Sequence, residues 1–276
     1  MQQLIYETAV PVSSGRHAKV SVDGRDNYAF CRHINSAPLT VVEFPFAATD
    51  YAIVFAQNGD SVMPVVILGA RKEENLFVAD DGRWLAAYVP AFVRRYPFVF
   101  ATNDDGKTFT LCVDEAYQGV NYLGKGQALF GAEGQPTPYV DNVLQFLQEY
   151  RLQFQRTQAF SAKVQELGLL EPMQAQFALA SGEKMSLTGF MVIDRNKLKA
   201  LGGEQLSALA QADELELIYL HLHSMRNFVA VKDKLVASMA NGAAGANGAN
   251  GAHGAVSAPP DAATPAEAAA LPATAV

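Results

Sequence analysis

The sequence predicts an α+β fold: a strand-rich, largely antiparallel N-terminal part, then a long helix, a β-hairpin and C-terminal helices, and finally a disordered tail. Three observations indicate this order. Short β-branched and aromatic runs fill residues 1–115, a long stretch of helically spaced apolar residues follows, and the last part of the chain lacks large apolar side chains. Since helices do not regularly separate the strands, antiparallel pairing is favoured over a doubly wound parallel sheet.

The first predicted strands are Thr40–Phe44 and Tyr51–Phe55, both rich in β-branched and aromatic residues. The run Val62–Leu68 is apolar without interruption. A continuous apolar run of strand length is typical of a strand that is buried on both faces.

Two hairpins are predicted after these strands. In the first, Asn75–Val78 leads into Trp84–Leu85, and in the second, Phe98–Phe100 leads into Thr108–Val113. Each connection contains an Asp-Gly pair, which tolerates the positive φ of a tight turn. Between the hairpins, Pro90–Arg95 is predicted to form one helical turn, since proline suits a first helical position.

Residues 116–136 are rich in glycine and predict a loop, and a long helix is expected to follow. Thr137 can cap this helix and Pro138 can start it. Apolar residues then recur at helical spacing as far as Leu167, and Gly168 is a natural C-terminal stop.

A second β-hairpin is predicted from the alternating pattern of Met173–Leu179 and the returning segment Met185–Ile193. The turn between them contains a Ser-Gly pair. A short helical stretch over Asn196–Ala210 then leads to a last helix at about residues 213–237, which has one apolar stripe.

These elements predict a single domain over residues 1–238 and a tail over 239–276. The tail is rich in Ala, Gly and Pro. Side chains of this kind bury too little apolar surface to offset the entropy lost on ordering, so a disordered tail is expected.

Composition narrows the classes of function. The chain has 276 residues and a net charge of −7, which disfavours nucleic acid as a partner. The two cysteines, Cys31 and Cys112, lie in apolar surroundings and predict buried free thiols in a reducing compartment. The N-terminus lacks a secretory signal, and no apolar run approaches the roughly 20 residues that a membrane span needs. We therefore expect a soluble, cytoplasmic protein without a membrane span.

Several motifs fail the geometry that their chemistry requires. His221 and His223 would lie on opposite sides of a helix, so they cannot share a metal ion, and His221 is expected to be a hydrogen-bonded core residue. The loop Asn103–Gly106 lacks the end ligands of a calcium-binding loop. Gly124–Gly126 (GKG) has neither the spacing nor the context of a phosphate loop. The sequence thus predicts no metal, no cofactor and no catalytic residue.

One group of residues remains as a candidate ligand-binding site, with His221 as a further polar candidate. It combines arginines, which can clamp a carboxylate or phosphate, with aromatic rings that can stack beside them. Its members are Glu43, Trp84, Tyr88, Arg94, Arg95 and Tyr96. The alternative is structural: one arginine would pair with Glu43 to hold the fold together.

Taken in order, a series of short segments resembles the SapC-like proteins, a bacterial family named for a surface-layer association. The resemblance runs over residues 1–236. The segments are Asn27–Phe30 (NYAF), Ala37–Thr40 (APLT), Val42–Phe44 (VEF), Tyr51–Phe55 (YAIVF), Leu68–Gly69 (LG), Asn75–Val78 (NLFV), Asp81–Trp84 (DGRW), Tyr88–Ala91 (YVPA), Arg94–Phe98 (RRYPF), Leu129–Phe130 (LF), Leu187–Gly189 (LTG) and Ile218–Leu222 (IYLHL). Ala52 stands where the family usually has proline, and His223 has no counterpart in the pattern.

The resemblance implies no catalytic residues. Relatives tend to accompany genes for outer-membrane nutrient uptake and flavin-dependent halogenase-like genes, which suggests an accessory role. We therefore expect a non-catalytic binding or accessory protein, with nutrient uptake as one candidate process, whose partner is a protein, a peptide or a small anionic ligand. One alternative is a structural protein of the surface layer, exported to the cell surface without a cleaved signal. Another is an enzyme with an unrecognised site at Glu43, Tyr96, His17 and His221.

Overall fold

The computed structural model describes residues 5–24, 27–102, 108–178, 184–249 and 266–267, and it confirms the α+β class. The strands are β1 (Ala9–Pro11), β2 (Ser21–Val22), β3 (Ser36–Pro38), β4 (Ile53–Asn58), β5 (Ser61–Ile67), β6 (Phe98–Thr102), β7 (Phe109–Asp114), β8 (Val120–Asn121), β9 (Gln127–Ala128), β10 (Leu170–Ala178), β11 (Lys184–Ile193) and β12 (Ala266–Glu267). The helices are α1 (Ser14–His17), α2 (Phe44–Asp50), α3 (Ala91–Arg94), α4 (Pro138–Glu166), α5 (Arg195–Lys199), α6 (Gly203–Gln211), α7 (Glu214–Ser224) and α8 (Phe228–Ala249). Short 3₁₀ turns lie at Ala29–Cys31, Val41–Glu43 and Met225–Asn227.

The central sheet has the strand order β10-β11-β4-β5-β3, and these neighbours pair antiparallel. The two residues of β12 pair in parallel with Leu187 and Thr188 of β11. Residues Val62–Ile67 of β5 are buried throughout, as the uninterrupted apolar run predicts. The predicted C-terminal hairpin is β10 and β11, and its turn lies outside the described residues.

The described residues also form two smaller sheets of three strands each. The order β1-β7-β6 contains the predicted second hairpin as the β6–β7 pair, whose connection lies outside the described residues. In the third sheet, β2 pairs with both β8 and β9. The segment predicted as a loop at 116–136 thus contains two short strands, because the backbone of Ser21 and Val22 offers ladder partners that a local pattern does not reveal.

The long helix α4 confirms the prediction from apolar spacing, and it ends before Gly168, whose φ of 65° suits a helix stop. Thr137 precedes it in the N-cap position, but its side chain does not cap the helix. The hydroxyl donates instead to the carbonyl of Ala128 at 2.6 Å, so a tertiary contact has replaced the expected local one.

The predicted strand Thr40–Phe44 is wrong. Residues Val41–Glu43 form a 3₁₀ turn that continues into α2, with Pro45 in the first turn of that helix. Thr40 and Glu43 form a capping box, in which the Glu43 carboxylate accepts from both the backbone and the hydroxyl of Thr40. Capping and the proline therefore outweigh the β-branched composition of this segment.

The predicted first hairpin is only a tight turn. Its pairing is limited to one antiparallel bridge between Val78 and Trp84, with Gly82 at a φ of 89°. The predicted helical turn after it is confirmed as α3. This turn region places Trp84 and Tyr88 next to α2.

The predicted last helix is interrupted by the 3₁₀ turn Met225–Asn227, which separates α7 from α8. Two residues at this turn form hydrogen bonds with the segment that links α2 to β4. Ser224 accepts from the Ile53 backbone N–H at 3.0 Å, and the Asn227 amide donates to the carbonyls of Ala48 and Tyr51, both at 2.8 Å. The predicted helical stretch before α7 is likewise divided, into α5 and α6.

The helix α8 continues to Ala249, which is beyond the predicted start of the tail. Alanine favours propagation of a helix that has already formed. Residues 250–265 and 268–276 lie outside the described residues, so the predicted disorder of the tail stays a prediction.

The larger of two apolar cores packs the central sheet against α2, α7 and α8, with Phe44, Tyr51 and Phe55 among its fully buried members. A smaller core lies between β6, β7 and the first half of α4. The segment from α2 to α3, which contains Trp84, Tyr88 and Arg94 of the predicted site, packs against the larger core.

Candidate ligand-binding surface

Glu43 is buried at the junction of three segments, and four donors surround its carboxylate. Oε2 accepts from the Thr40 backbone N–H at 2.8 Å and from the Thr40 hydroxyl at 2.7 Å. Oε1 accepts from the Tyr88 hydroxyl at 2.9 Å and from the Ala91 backbone N–H at 2.7 Å. Among the described residues no arginine forms an ion pair with this carboxylate, so the predicted structural pairing is wrong and neutral donors satisfy the charge instead.

Tyr88 connects Glu43 to the protein surface. Its hydroxyl donates to Glu43 and accepts from Nη2 of Arg94 at 3.2 Å. Burial, with a further contribution from the Glu43 carboxylate, raises the pKa of Tyr88, so the hydroxyl stays protonated and keeps donating to Glu43.

Arg94 is exposed, yet its guanidinium is held in place. Besides the bond to Tyr88, its Nε donates to the carbonyl of Val89 at 3.0 Å. The guanidinium carbon lies 5.6 Å from the ring centroid of Tyr88 and 5.4 Å from that of Phe146, in cation–π range. Arg94 forms no ion pair with any carboxylate of the described residues.

Two exposed apolar side chains extend this surface. Phe46 is 61% exposed, and its ring stacks on that of Tyr88 with centroids 5.6 Å apart. Val42 is 39% exposed and lies one helical turn before Phe46, on the same side of the helical backbone. We define the Arg94 surface as Val42, Phe46, Tyr88, Arg94 and Phe146.

Trp84 contributes to this surface by fixing the backbone of Tyr88. Its Nε1 donates to the Tyr51 hydroxyl at 2.7 Å and to the Tyr88 carbonyl at 3.1 Å, and the Tyr51 hydroxyl also donates to that carbonyl. The Asp50 carboxylate accepts from the Tyr88 backbone N–H at 3.0 Å. The backbone of Tyr88 is thus fixed on both sides.

Arg95 points in the opposite direction and is only 3% exposed. Its guanidinium carbon lies 4.6 Å from the ring centroid of Phe92, 4.9 Å from that of Tyr150 and 5.7 Å from that of Tyr6. Its Nε is buried without a hydrogen-bond partner. We define these four residues as the Arg95 core.

Tyr96 belongs to a separate aromatic group. Its ring stacks on Phe30 at 4.2 Å and meets Tyr117 edge-on at 5.2 Å. Its hydroxyl donates to Asp114 at 3.2 Å, and burial together with that carboxylate raises the pKa of Tyr96. Asp114 also accepts from the backbone N–H of Thr8, so this group fastens β1 to β7.

His221 is fully buried, as expected, and both ring nitrogens have partners. Nδ1 lies 2.8 Å from the Ile53 carbonyl, to which it donates, and Nε2 accepts from the Ile193 backbone N–H at 3.0 Å. Burial lowers the pKa of His221 to about 4. The exposed position of His223 confirms that the two histidines face opposite sides of α7.

His17 is also occupied at both nitrogens. Nδ1 accepts from the Ser13 backbone N–H at 3.1 Å, so Nε2 carries the proton and donates to Glu115 at 3.1 Å. His17 and His221 therefore have no nitrogen left to act as a base in this arrangement. Glu43, Tyr96, His17 and His221 share no hydrogen bond or ion pair within the described residues, which gives no support to a joint catalytic role.

In the structure, the Tyr88 hydroxyl connects Glu43 to Arg94, and Trp84 donates a hydrogen bond to the Tyr88 carbonyl. The fold directs Arg95 and Tyr96 elsewhere. The sequence interpretation missed Val42, Phe46 and Phe146. The one available signal was the helical i, i+4 spacing of Val42 and Phe46, which the wrong strand prediction at Thr40–Phe44 concealed.

A shallow depression lies on another part of the molecule, at α5 and α7. It has a volume of about 350 Å³ and is lined by Arg195, Glu216, Tyr219, Leu220 and His223. None of the predicted site residues lines it.

Within the described part of the chain, no group of three or more His, Cys, Asp or Glu side chains could hold a metal ion. The loop Asn103–Gly106 lies entirely outside that part, and the absence of a cofactor stays a prediction. No helix among the described residues is long and apolar enough to cross a membrane.

A family model described as SapC matches residues 12–231, which is most of the chain. The match confirms the resemblance inferred from the short segments, and its range includes the whole Arg94 surface. No curated protein and no solved structure matches the chain.

Proposed function

We propose a non-catalytic binding function for this chain, which belongs to the SapC family. In this proposal the Arg94 surface recognises a peptide or a small anionic ligand, and the protein acts as an accessory factor, for example in nutrient uptake. The observation that supports it is the state of Arg94: an exposed guanidinium that is held between two aromatic rings and has no carboxylate partner among the described residues.

An arginine in this state suits anion binding for two reasons. Its planar fork matches a carboxylate or phosphate, and the hydrogen bonds to Val89 and Tyr88 reduce the side-chain entropy lost when a ligand binds. Surface arginines that are already ion-paired, such as Arg83 with Asp81 at 2.6 Å, offer less to a new anion.

The proposal is tested by calorimetric titration of succinate, inorganic phosphate and short acidic peptides into the wild-type chain and Arg94→Gln. We expect Arg94→Gln to weaken binding about tenfold or more, because a charge-assisted hydrogen bond is lost. Arg156→Gln, at an exposed position of α4, is the control and should change affinity by less than about twofold. Equal affinity of wild type and Arg94→Gln for every probe would refute the proposal.

We further propose a cytoplasmic location and no nucleic-acid partner. Cys31 and Cys112 are buried free thiols, which suits a reducing compartment, and the net charge of −7 opposes binding to a phosphate backbone. Fractionation of cells separates this proposal from the surface-layer alternative. Recovery with cytosolic markers is the expected result, and recovery with the washed cell surface would favour the structural surface protein.

A further inference from the structure

Some N–H donors of the Arg94 guanidinium form no hydrogen bond within the described residues. Arginine offers five N–H donors. One donor on Nε and one on Nη2 are bonded to Val89 and Tyr88, and the others, including both on Nη1, have no hydrogen bond within the described residues. These free N–H groups lie in the guanidinium plane, and such a planar fork of donors suits a planar carboxylate.

The charge around Arg94 favours a ligand with a single negative charge. The Tyr88 hydroxyl lies between Arg94 and the buried Glu43 carboxylate. It donates to Glu43 at 2.9 Å and accepts from Arg94 at 3.2 Å. In the described part of the chain, Arg94 is the cation that contacts the rings of this surface. A dianion such as phosphate would therefore meet one guanidinium whose field a nearby carboxylate partly cancels.

The apolar side chains beside Arg94 indicate the rest of the ligand. Phe46 and Val42 are 61% and 39% exposed, and Phe46 reaches the guanidinium through its stacking on Tyr88. Covering them with an apolar group of the ligand is favourable, because it removes apolar area from water on both partners.

The openness of the surface favours a peptide over a small acid. Small molecules are usually bound in clefts that enclose most of their surface. Here the central residues Phe46 and Arg94 are both exposed, so a small acid would be covered on one side only. A peptide chain can continue along the surface beyond the residue that is recognised.

We infer that the Arg94 surface binds the C-terminal residue of a peptide whose last side chain is large and apolar. The terminal carboxylate meets the free N–H groups of Arg94, and the last side chain covers Phe46 and Val42. This inference rests on the proposed binding function and specifies its ligand.

The test uses fluorescence anisotropy with an N-terminally labelled hexapeptide that ends in phenylalanine and has a free carboxylate. Its matched probes are the same peptide with a C-terminal amide and the same peptide ending in glycine. We expect amidation and the glycine ending each to weaken binding about tenfold or more. Arg94→Gln and Phe46→Ala should each weaken binding of the phenylalanine peptide by a similar factor, because each removes one of the proposed contacts. Both residues are exposed, so their replacement leaves the core intact.

The matched controls are Arg156→Gln and Leu152→Ala, an exposed arginine and an exposed leucine on α4, and both should bind within about twofold of wild type. No binding of the phenylalanine peptide, or equal binding of its amide, overturns the inference. If succinate, phosphate or acidic peptides still bind in a way that depends on Arg94, the proposed function survives that failure. If no anion depends on Arg94, both fail.

Discussion

The Arg94 surface and the Arg95 core contain consecutive arginines with opposite environments. Arg94 is exposed and bonded to Val89 and Tyr88, whereas Arg95 is 3% exposed and enclosed by aromatic rings. Each step along a helix turns by about 100°, so one position separates the outside of α3 from the interior. Two consecutive arginines can therefore differ in role, with one exposed to a ligand and the other packed in the core.

The largest effect is expected from removal of the buried member. Arg95→Ala leaves the space between Phe92, Tyr150 and Tyr6 unfilled, and we expect the free energy of unfolding to fall by about 3 kcal/mol or more. Urea unfolding of the wild-type chain and of Arg95→Ala measures this difference in the free energy of unfolding. A loss below about 0.5 kcal/mol, the range of ordinary surface substitutions, would break the distinction between the two arginines.

His221 is a second buried side chain that can carry a positive charge, and its contribution to stability depends on pH. Burial lowers the pKa of His221 from 6.5 to about 4, so between these values the unfolded chain binds a proton that the folded chain does not. Stability therefore falls as the pH falls through this interval, by a total on the order of 3 kcal/mol. Urea unfolding at a series of pH values measures the slope.

His221→Gln removes the titrating group, and this part of the pH dependence should vanish with it. A slope that is the same in the variant and in wild type would assign the acid sensitivity to other residues. Such a result would show that burial of His221 does not set the acid sensitivity of the fold.

A smaller effect is expected at Glu43, which lies beneath the Arg94 surface. In Glu43→Gln one carboxylate oxygen becomes an amide group that faces donors already aimed at it, either those of Thr40 or those of Tyr88 and Ala91. We expect a loss of about 2 kcal/mol in the free energy of unfolding. The substitution also removes the charge that partly cancels the field of Arg94, so affinity for an anionic ligand should not fall, and a loss of affinity would show that the hydrogen bond from Tyr88 to Glu43 positions Arg94.

The smallest effect on stability is expected from Arg94→Gln, at about 0.5 kcal/mol or less, since the side chain is exposed. Urea unfolding should give nearly the wild-type midpoint even though ligand binding is lost. A destabilisation as large as that of Arg95→Ala would mean that both arginines are structural.

Much of the fold followed from local patterns. The spacing of apolar residues predicted α4, the uninterrupted run predicted β5, and alternation predicted the β10–β11 hairpin. These patterns succeed because one buried face imposes one period. The segment Thr40–Phe44 failed because its capping box and Pro45 select a helical turn despite β-branched residues.

The candidate site was predicted in part. Of the residues grouped by their chemistry, Glu43 and Arg94 both hydrogen-bond to the Tyr88 hydroxyl, and Trp84 hydrogen-bonds to the Tyr88 carbonyl. Residue chemistry could not separate Arg94 from Arg95 or exclude Tyr96, because chemistry alone does not show the direction of a side chain. Phe146 was out of reach, since it lies on α4, far along the chain.

Residue type and spacing are enough to predict the α+β class, the positions of α4, β5 and the β10–β11 hairpin, and the absence of known catalytic motifs. Tertiary structure alone decided that Phe46 remains exposed, that Arg95 is enclosed by rings and that neutral donors satisfy Glu43. The physical reason is that burial and hydrogen-bond partners come from segments distant in the chain, as when Tyr88 and Ala91 meet Glu43, and no local pattern encodes that meeting.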